Sequence, residues 1–333
     1  MDEREACRPS VSVIVPGYGV AHLLGETLAS LQAQVRCDWE AIVVDDGDPD
    51  DVARAFAPFS HDPRFRLLNT DNGGLAAARN RAIAVSRAPF VALLDGDDLY
   101  EPEYVGRMLK AIEADPGLGF VSCDATMFGA RRYAGRLYSD DHPMAGPVTL
   151  ERVLSREVAI VVAAIIRRSA FESVGGFDSR LRSVEDLDLW IRLLAAGWRG
   201  EVVRQPLVRY RRRRGSLSDQ PLGMLASSCD VYRKAGAALR TRSEGCTAER
   251  MLAICSNELE WLKGQEAILR GDYKSGLALL RGAEQRSWRW RFALAIFRRA
   301  AWAAPLLLRL RAALPRPLDL LSARRRSAGA SWK

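Results

Sequence analysis

The sequence predicts an α/β fold in which a parallel sheet carries helices on both faces. Short β-branched runs alternate with segments of helical period over roughly the first hundred residues, these runs end in turns of glycines or acids, and the pattern after Pro221 is helical only. Because parallel strands need crossover helices, their carboxyl ends share one edge of the sheet, where ligands bind in such folds. We therefore expect the chemistry in the loops that follow the strands.

The first strand of the predicted sheet is Val11–Pro16, a β-branched run followed by a helix whose leucines recur at helical spacing. The alanine-rich segment 74–86 predicts a further helix. The remaining strand candidates of this half are the apolar runs 40–46, 64–69 and 90–94. The glycine-containing and acidic loops that end the first, second and fourth strands are then expected to lie on one rim.

The second half of the chain gives fewer strand signals. An apolar strand, a short helix and a glycine turn begin at Val158, and the amphipathic helix 183–198 holds Glu185 and Asp186 in its first turn. The helices predicted after Pro221 are 222–239, 247–269, 273–285 and a basic helix from 288. We therefore divide the chain into a 1–220 α/β domain, a 221–285 helical extension and a 286–333 basic amphipathic tail.

The formal net charge of +8 does not indicate nucleic-acid binding, because the surplus lies in the tail. Residues 285–333 hold twelve Lys or Arg and a single acid, whereas the rest of the chain has a small excess of acids. The six cysteines form no CxxC pair and no Cys/His cluster at zinc spacing, and no secretory signal is recognised before the first strand. These features predict a cytoplasmic protein that does not bind nucleic acid.

Three carboxylates, Asp95, Asp97 and Asp98, follow the predicted strand 90–94 within four positions. Crowded carboxylates raise each other's pKa and weaken the fold unless a cation lies among them. Oxygen ligands suit Mg²⁺ or Mn²⁺, and Mg²⁺ is commonly held by one or two carboxylates together with substrate phosphates. For Asp95 and Asp97 we therefore predict a metal and a diphosphate, and for Asp98 a cap on a helix beginning at Leu99.

Other nucleotide-binding patterns are incomplete in this sequence. A strand followed by Gly17 and Gly19 begins the dinucleotide-binding pattern of oxidoreductases, but His22 occupies the position of the third glycine. The GxxxxGK[ST] pattern of phosphate-binding loops is absent from the sequence. Both classes are therefore disfavoured.

Six segments occur in the order and at roughly the separations of family 2 glycosyltransferases of the GT-A fold, which the sequence resembles over about residues 10–220. They are "VSVIVPGYGVAHLLGETLASLQAQ", "WEAIVVDDGDPDD", "DNGGLAAARNRAI", "FVALLDGDD", "GGFD" and "EDLDLWIRLLAAG". The resemblance implies a mixed sheet flanked by helices and an inverting transfer from a nucleotide-diphosphate sugar, with UDP expected, to a hydroxyl of a glycan or lipid-linked glycan. The implied setting is cell-surface polysaccharide or glycoconjugate biosynthesis. The QxxRW motif of processive polymerases is absent from the sequence, so transfer of a single sugar is expected.

The resemblance also implies the residues that bind the nucleotide. Pro16 and Tyr18 line the base and ribose pocket, Asp46 accepts hydrogen bonds from the base, and Arg79 faces the base or the phosphates. From the residues alone, Tyr18 could equally be a core aromatic and Arg79 a solvent-exposed helix residue. The assignment of both to the site rests on the family match.

The same resemblance implies the catalytic groups. Asp95 and Asp97 form the D-x-D motif, with Asp97 the direct ligand of Mn²⁺ or Mg²⁺ and Asp95 nearer the ribose, while Asp186 matches the catalytic base. From the residues alone, Asp186 is a first-turn acid favoured by the helix dipole, and Glu185 competes for either role. The family match selects Asp186.

Three positions depart from the family pattern. Gly19 stands where Asn is usual, Asp48 where Ser or Asn is usual, and Arg213 where many members have a histidine that can approach the metal. Arg213 puts a third protein ligand in doubt; it could meet the diphosphate directly or belong to a solvated basic loop. These departures keep open the alternative of a catalytically degenerate protein that binds nucleotide sugar or acts as a scaffold.

The tail 286–333 combines arginines with four tryptophans and has no uncharged stretch of the ~20 residues needed to cross a bilayer. An amphipathic, arginine-rich helix can lie among the headgroups of an anionic leaflet, which predicts peripheral contact with the inner face of a membrane. Alternatively, its apolar face packs on the preceding helices and its arginines are solvated. Both interpretations stay open from the sequence.

Overall fold

A computed structural model describes residues 8–280 of the chain. The chain divides after Asp219 into two compact units, of which the first is α/β and the described part of the second is helical. None of the described helices is long and apolar enough to cross a membrane. The predicted tail, 286–333, and the membrane contact expected of it lie outside the described residues.

The first unit is built on one eight-stranded sheet. Its strands are β1 (Val11–Pro16), β2 (Trp39–Asp45), β3 (Phe65–Asn69), β4 (Phe90–Leu93), β5 (Leu99–Tyr100), β6 (Leu118–Gly129), β7 (Ala164–Arg167) and β8 (Arg199–Arg212). Their order across the sheet is β3-β2-β1-β4-β7-β6-β8-β5. The strands β3, β2, β1 and β4 are parallel, β7 pairs antiparallel with β4 and β6, β8 is parallel to β6, and β5 is antiparallel to β8. The predicted mixed sheet is thus confirmed.

Seven helices of this unit connect and cover the strands. They are α1 (Ala21–Gln32), α2 (Val52–Phe56), α3 (Leu75–Val85), α4 (Tyr104–Glu113), α5 (Leu150–Leu154), α6 (Arg168–Ser173) and α7 (Glu185–Ala195). Every residue of β1 is buried, as expected for a strand with helices on both faces of its sheet. Alternate valines of β1 share a hydrophobic core with the buried leucines of α1. This packing holds the parallel strands in register, so that their carboxyl ends form one rim.

The segment after the acidic cluster differs from the prediction. Leu99 and Tyr100 form the short strand β5, which pairs with β8, and the next helix starts only at Tyr104. The buried Asp98 accepts a hydrogen bond at 2.7 Å from the backbone N–H of Arg211 in β8. The prediction that Asp98 caps a helix is therefore wrong: its carboxylate fixes the end of a strand that lies more than a hundred residues further along the chain.

The described part of the second unit contains three helices, α8 (Pro221–Ala238), α9 (Ser243–Leu269) and α10 (Tyr273–Leu279). Helices α9 and α10 approach closely at a pair of glycines, since a Cβ on Gly276 would lie 2.9 Å from the carbonyl oxygen of Gly264. Only a residue without a side chain fits this crossing.

Candidate active site

At the rim formed by the ends of β1, β2 and β4, two backbone segments make a close contact at Gly96. A Cβ on Gly96 would lie 2.5 Å from the carbonyl oxygen of Pro16, so the loop between Asp95 and Asp97 packs directly on the end of β1. Pro16 itself is buried, whereas the Tyr18 side chain is 52% exposed. Tyr18 is therefore not a core aromatic, and it stands at the solvent-facing edge of the rim.

Asp46 organises the loop that follows β3. Its buried carboxylate accepts hydrogen bonds from the backbone N–H groups of Gly73 at 3.1 Å and Gly74 at 2.9 Å. It also accepts from the Thr70 hydroxyl at 3.0 Å and from Arg81 Nη1 at 3.1 Å. These bonds give Asp46 a structural role in shaping the rim. Its contact with a nucleotide base stays a prediction, and it requires exchange of at least one of these bonds.

Two of the departures from the family pattern contact each other. The backbone N–H of Gly19 donates to Asp48 Oδ2 at 2.6 Å, and the backbone N–H of Asp48 donates to Asp45 Oδ1 at 3.0 Å. Gly19 has φ +69°, a left-handed conformation that Gly adopts freely and Asn tolerates better than most residues. Gly in place of Asn at position 19 is thus compatible with this backbone conformation. Through these two hydrogen bonds, Asp48 connects the loop after β1 to the end of β2.

Arg79, on α3, links the D-x-D loop to the start of α7. Its side chain is buried, and its guanidinium donates to Asp95 Oδ1 at 2.5 Å and to Glu185. The interpretation of Arg79 as a solvent-exposed helix residue is therefore wrong. A buried guanidinium with two carboxylate partners joins the two acidic motifs, although they are about ninety positions apart in the sequence.

Asp186 lies in the first turn of α7, beside this network, and is partly exposed. Its carboxylate accepts a hydrogen bond at 2.8 Å from the backbone N–H of Leu187. Burial raises the pKa of Asp186, and Asp95 raises it further, whereas Arg79 and Arg156 oppose the shift. Burial likewise raises the pKa of Glu185 to about 7. Since three carboxylates surround one buried guanidinium, they cannot all be ionised at ordinary cost.

The backbone is strained at two residues that act on this acid pair. Val184, immediately before Glu185, has φ 62°, and Arg156, whose charge acts on Asp186, has φ 58°. These are the only non-glycine residues with positive φ in the described part of the chain. A left-handed β-branched residue is a genuine outlier, and such strain concentrates at functional sites. Neither position carries a local signal, such as a glycine or a turn motif, from which this conformation could have been predicted.

Asp97, the second acid of the D-x-D motif, pairs with Arg213, which stands where many members of the resembled family have a histidine. Arg213 Nε donates to Asp97 Oδ2 at 2.7 Å. Burial raises the pKa of Asp97 and Asp95 adds to the rise, while Arg213 opposes it. The interpretation of Arg213 as part of a solvated basic loop is wrong, since its guanidinium is held against the D-x-D loop.

The donor set fits a divalent cation that phosphate oxygens would complete. Asp95 and Asp97 each engage a guanidinium through one oxygen, which leaves the other oxygen of each carboxylate for a hard cation. Within residues 8–280, no group of three or more His, Cys, Asp or Glu side chains has the arrangement of a metal site. In this part of the chain, protein side chains alone therefore do not form a complete metal site.

Comparison with known sequences places these motifs in context. Residues 12–175 match the family described as Glycosyl transferase family 2. The chain is 29% identical over 225 residues to EpsJ of Bacillus subtilis, named an uncharacterised glycosyltransferase, with 64% of each chain covered. It is 25% identical over 190 residues to a chondroitin synthase of Pasteurella multocida, covering 57% of this chain and 19% of that protein. The match thus spans less than two thirds of either relative.

Two solved structures have the same fold. TarS of S. aureus in complex with UDP-GlcNAc gives a TM-score of 0.62 at 19% identity, covering 90% of this chain and 89% of that one. The mannosyltransferase PcManGT of Pyrobaculum calidifontis, in complex with GDP-Man and Mn²⁺, gives 0.59 at 20% identity, covering 98% and 89%. The predicted GT-A type of mixed sheet with a helical C-terminal region is thereby confirmed.

Proposed function

Because the N-terminal unit of this chain is a family 2 glycosyltransferase domain, we propose that the protein is an inverting enzyme that transfers one sugar from a nucleotide-diphosphate sugar to a hydroxyl acceptor. The observation that carries the proposal is the buried bridge from Asp95 through Arg79 to Glu185. This bridge connects the D-x-D acids, which are expected to contact the donor diphosphate, to Glu185 and Asp186, which are expected to contact the acceptor. Such proximity is what a single displacement between two bound substrates needs.

The donor is expected to bind along the rim. Pro16 and the exposed Tyr18 face the base and ribose, and the loop shaped by Asp46 borders the same pocket. UDP is the expected nucleotide, although the solved structures of the same fold include complexes with UDP-GlcNAc and with GDP-Man. In this assignment Arg79 acts through Asp95 and Glu185, because its guanidinium is buried between their carboxylates.

Asp97, with Asp95, would hold Mn²⁺ or Mg²⁺ against the diphosphate. Bound there, the cation would neutralise charge on the departing nucleoside diphosphate. The protein's own part is to present one oxygen of each carboxylate at the end of β4, a position fixed by the contact of Gly96 with Pro16. Metal dependence is thus part of the proposal.

Asp186 is assigned the role of general base. The acceptor oxygen attacks the anomeric carbon, its proton passes to the Asp186 carboxylate, and the bond from that carbon to the diphosphate oxygen breaks with its electron pair. Attack opposite the leaving group inverts the anomeric configuration, as in inverting glycosidases. The raised pKa of Asp186 makes its ionised form a stronger proton acceptor than an ordinary aspartate.

We assign this chemistry to residues 1–220, with 221–285 as a helical extension and 286–333 as a basic tail. The acceptor is expected to be a glycan or a lipid-linked glycan in cell-surface polysaccharide or glycoconjugate biosynthesis. The protein is expected in the cytoplasm, where the tail would contact the inner face of the membrane.

A catalytically inactive protein that binds nucleotide sugar or acts as a scaffold is the second candidate. The ion pair between Arg213 and Asp97 favours it, because that pair occupies one oxygen of the proposed metal ligand. The two candidates differ in one measurement: the scaffold would bind the donor and transfer nothing to any acceptor.

The donor and metal assignments are tested by thermal unfolding with UDP-sugars and GDP-sugars, with and without Mn²⁺. A donor at about a hundred times its Kd should add about 2.7 kcal/mol of stability, or about 5–10 °C in Tm for a domain of this size. We expect the largest rise with donor and Mn²⁺ together, and loss of the Mn²⁺-dependent part in Asp97→Ala. If no sugar nucleotide stabilises the wild type under any condition, the donor assignment is wrong.

The pH dependence of kcat tests the electrostatics of the base. The rate should rise as Asp186 ionises, so its acid limb should lie above the ordinary aspartate range, because burial and Asp95 raise the pKa of Asp186. Glu185→Gln should leave the limb nearly in place, because Asp186 is already ionised where Glu185 titrates near pH 7 and Glu185 is therefore neutral over the range in which Asp186 ionises. Arg156→Gln removes an opposing positive charge and should move the limb to higher pH.

The unshifted limb of Glu185→Gln is the control for the shift expected of Arg156→Gln. Both variants would first be compared with the wild type by circular dichroism and thermal unfolding. A shift in Glu185→Gln as large as that in Arg156→Gln, or a limb that stays in place in both variants, would remove Asp186 from the role of titrating base.

A further inference from the structure

Three arginines, Arg79, Arg211 and Arg213, contact the D-x-D loop, and two of them hold two protein oxygens each. Arg79 is buried between two carboxylates. Arg211 donates through Nε to the carbonyl oxygen of Asp97 at 2.7 Å and through Nη2 to Glu26 at 2.8 Å. Each of these two guanidiniums thus connects the D-x-D loop to a second acid elsewhere in the chain, and reorienting it toward a new ligand would break one of these contacts.

Arg213 differs from both. Only its Nε is used, in the 2.7 Å bond to Asp97 Oδ2, and its two terminal nitrogens have no hydrogen-bond partner among residues 8–280. Its side chain is 26% exposed. Since a guanidinium carries five N–H donors, four of them stay free for a ligand while the bond to Asp97 is kept.

The position of Arg213 is set by its neighbours. Two residues earlier, Arg211 fixes the end of β8 to the D-x-D loop through its backbone N–H on Asp98 and its Nε on Asp97. These bonds hold the Arg213 guanidinium beside the Asp97 carboxylate before any ligand binds. The side chain therefore loses little conformational freedom when a ligand binds. A preorganised guanidinium suits phosphate oxygens, which it can bind through two parallel hydrogen bonds.

We propose, on the basis of the proposed function, that Arg213 is a diphosphate ligand that binds the donor while it stays paired with Asp97. Without a counter-charge, the Asp97 carboxylate would repel an incoming diphosphate. The ion pair neutralises that carboxylate, and the free terminal N–H groups of Arg213 bind the phosphate oxygens. Nucleoside diphosphate binding is therefore only partly dependent on a divalent cation.

The same pair has a consequence for the cation itself. Arg213 and a divalent cation compete for the negative charge of Asp97, so the donor-free protein binds the cation weakly. Removal of Arg213 should then strengthen cation binding in the absence of nucleotide and weaken nucleotide binding in the absence of cation. These opposite effects would not follow if Arg213 only stabilised the fold.

The test is calorimetric titration of the full chain with UDP and with GDP, in EDTA and in Mn²⁺. The proteins are wild type, Arg213→Ala, Arg213→Lys and, as the matched control, Arg214→Ala at the adjacent exposed arginine. In EDTA, Arg213→Ala should weaken nucleotide binding roughly tenfold or more, because hydrogen bonds to a charged ligand are lost. In Mn²⁺ the loss should be smaller, Arg213→Lys should be intermediate, and Arg214→Ala should match the wild type.

A second readout uses Mn²⁺ alone, followed by its electron paramagnetic resonance signal without nucleotide. Arg213→Ala should bind Mn²⁺ several-fold more tightly than the wild type. Equal nucleotide affinity of Arg213→Ala and wild type in EDTA would overturn the role of Arg213, as would wild-type binding that is seen only with Mn²⁺. Binding of neither nucleotide by the wild type under any condition would instead reject the donor assignment itself, and this role of Arg213 with it.

Discussion

Replacement of Asp186 by Asn should lower kcat by a factor of about 10²–10⁴ while donor binding stays within a few-fold of the wild type. Asn keeps the shape of the side chain and can still accept the hydrogen bond from the Leu187 N–H, but it cannot take the proton of the acceptor hydroxyl. Donor affinity is expected to depend on the D-x-D loop and the β1 loop, neither of which includes Asp186. The measurement is transfer to an acceptor mixture alongside titration with nucleotide.

The control for this variant is Glu172→Gln, at a side chain that is 63% exposed on α6. It removes one carboxylate of the same unit without touching the acid network, so its kcat should match the wild type. Transfer by Asp186→Asn at near-normal rates would assign the base elsewhere, with Glu185 the next acid to replace.

The rim of the sheet could be predicted because it follows from strand direction alone. Parallel strands must end on one side, so the loops after Pro16, Asp45 and Leu93 had to be neighbours once the strands were recognised. The sequence also located the helix that holds Glu185 and Asp186, because its apolar positions follow a strong helical period.

The contacts between distant segments could not be predicted in this way. Nothing in an alanine-rich helix signals that Arg79 is buried between Asp95 and Glu185 rather than solvated, because helical spacing gives the face of a residue and not its partner. Asp98 illustrates the same limit. A carboxylate before Leu99 has the local form of a helix cap, and only the return of β8 makes it the acceptor for Arg211.

The structure also shows which contacts are made by the residues that depart from the family pattern. Gly19 and Asp48 are independent exceptions in the sequence, yet one hydrogen bond joins them across two loops. Arg213 is an exception whose partner is the proposed metal ligand Asp97. All three exceptions therefore lie in contacts at the rim rather than in separate surface loops.

Replacement of Arg79 by Met should destabilise the first unit by about 3–5 kcal/mol, the usual cost of removing one partner from a buried ion pair. The variant leaves Asp95, Glu185 and Asp186 close together without their buried cation, so their mutual repulsion is no longer offset. The measurement is denaturant unfolding of the full chain at constant pH. Arg107→Met, on α4 and in an ion pair with Glu103 whose two side chains are exposed, should cost only about 1 kcal/mol or less.

A second substitution separates electrostatics from packing. If repulsion among the acids is the cause, Arg79→Met combined with Glu185→Gln should recover part of the loss, and the two changes should be non-additive by about 1–3 kcal/mol. If Arg79 matters only through its volume, the losses should simply add. The double variant restores the charge balance but not the bridge that holds Asp95 and Glu185 together. Recovery of stability without recovery of transfer would therefore show that Arg79 has two separate roles, one in charge balance and one in positioning these two residues.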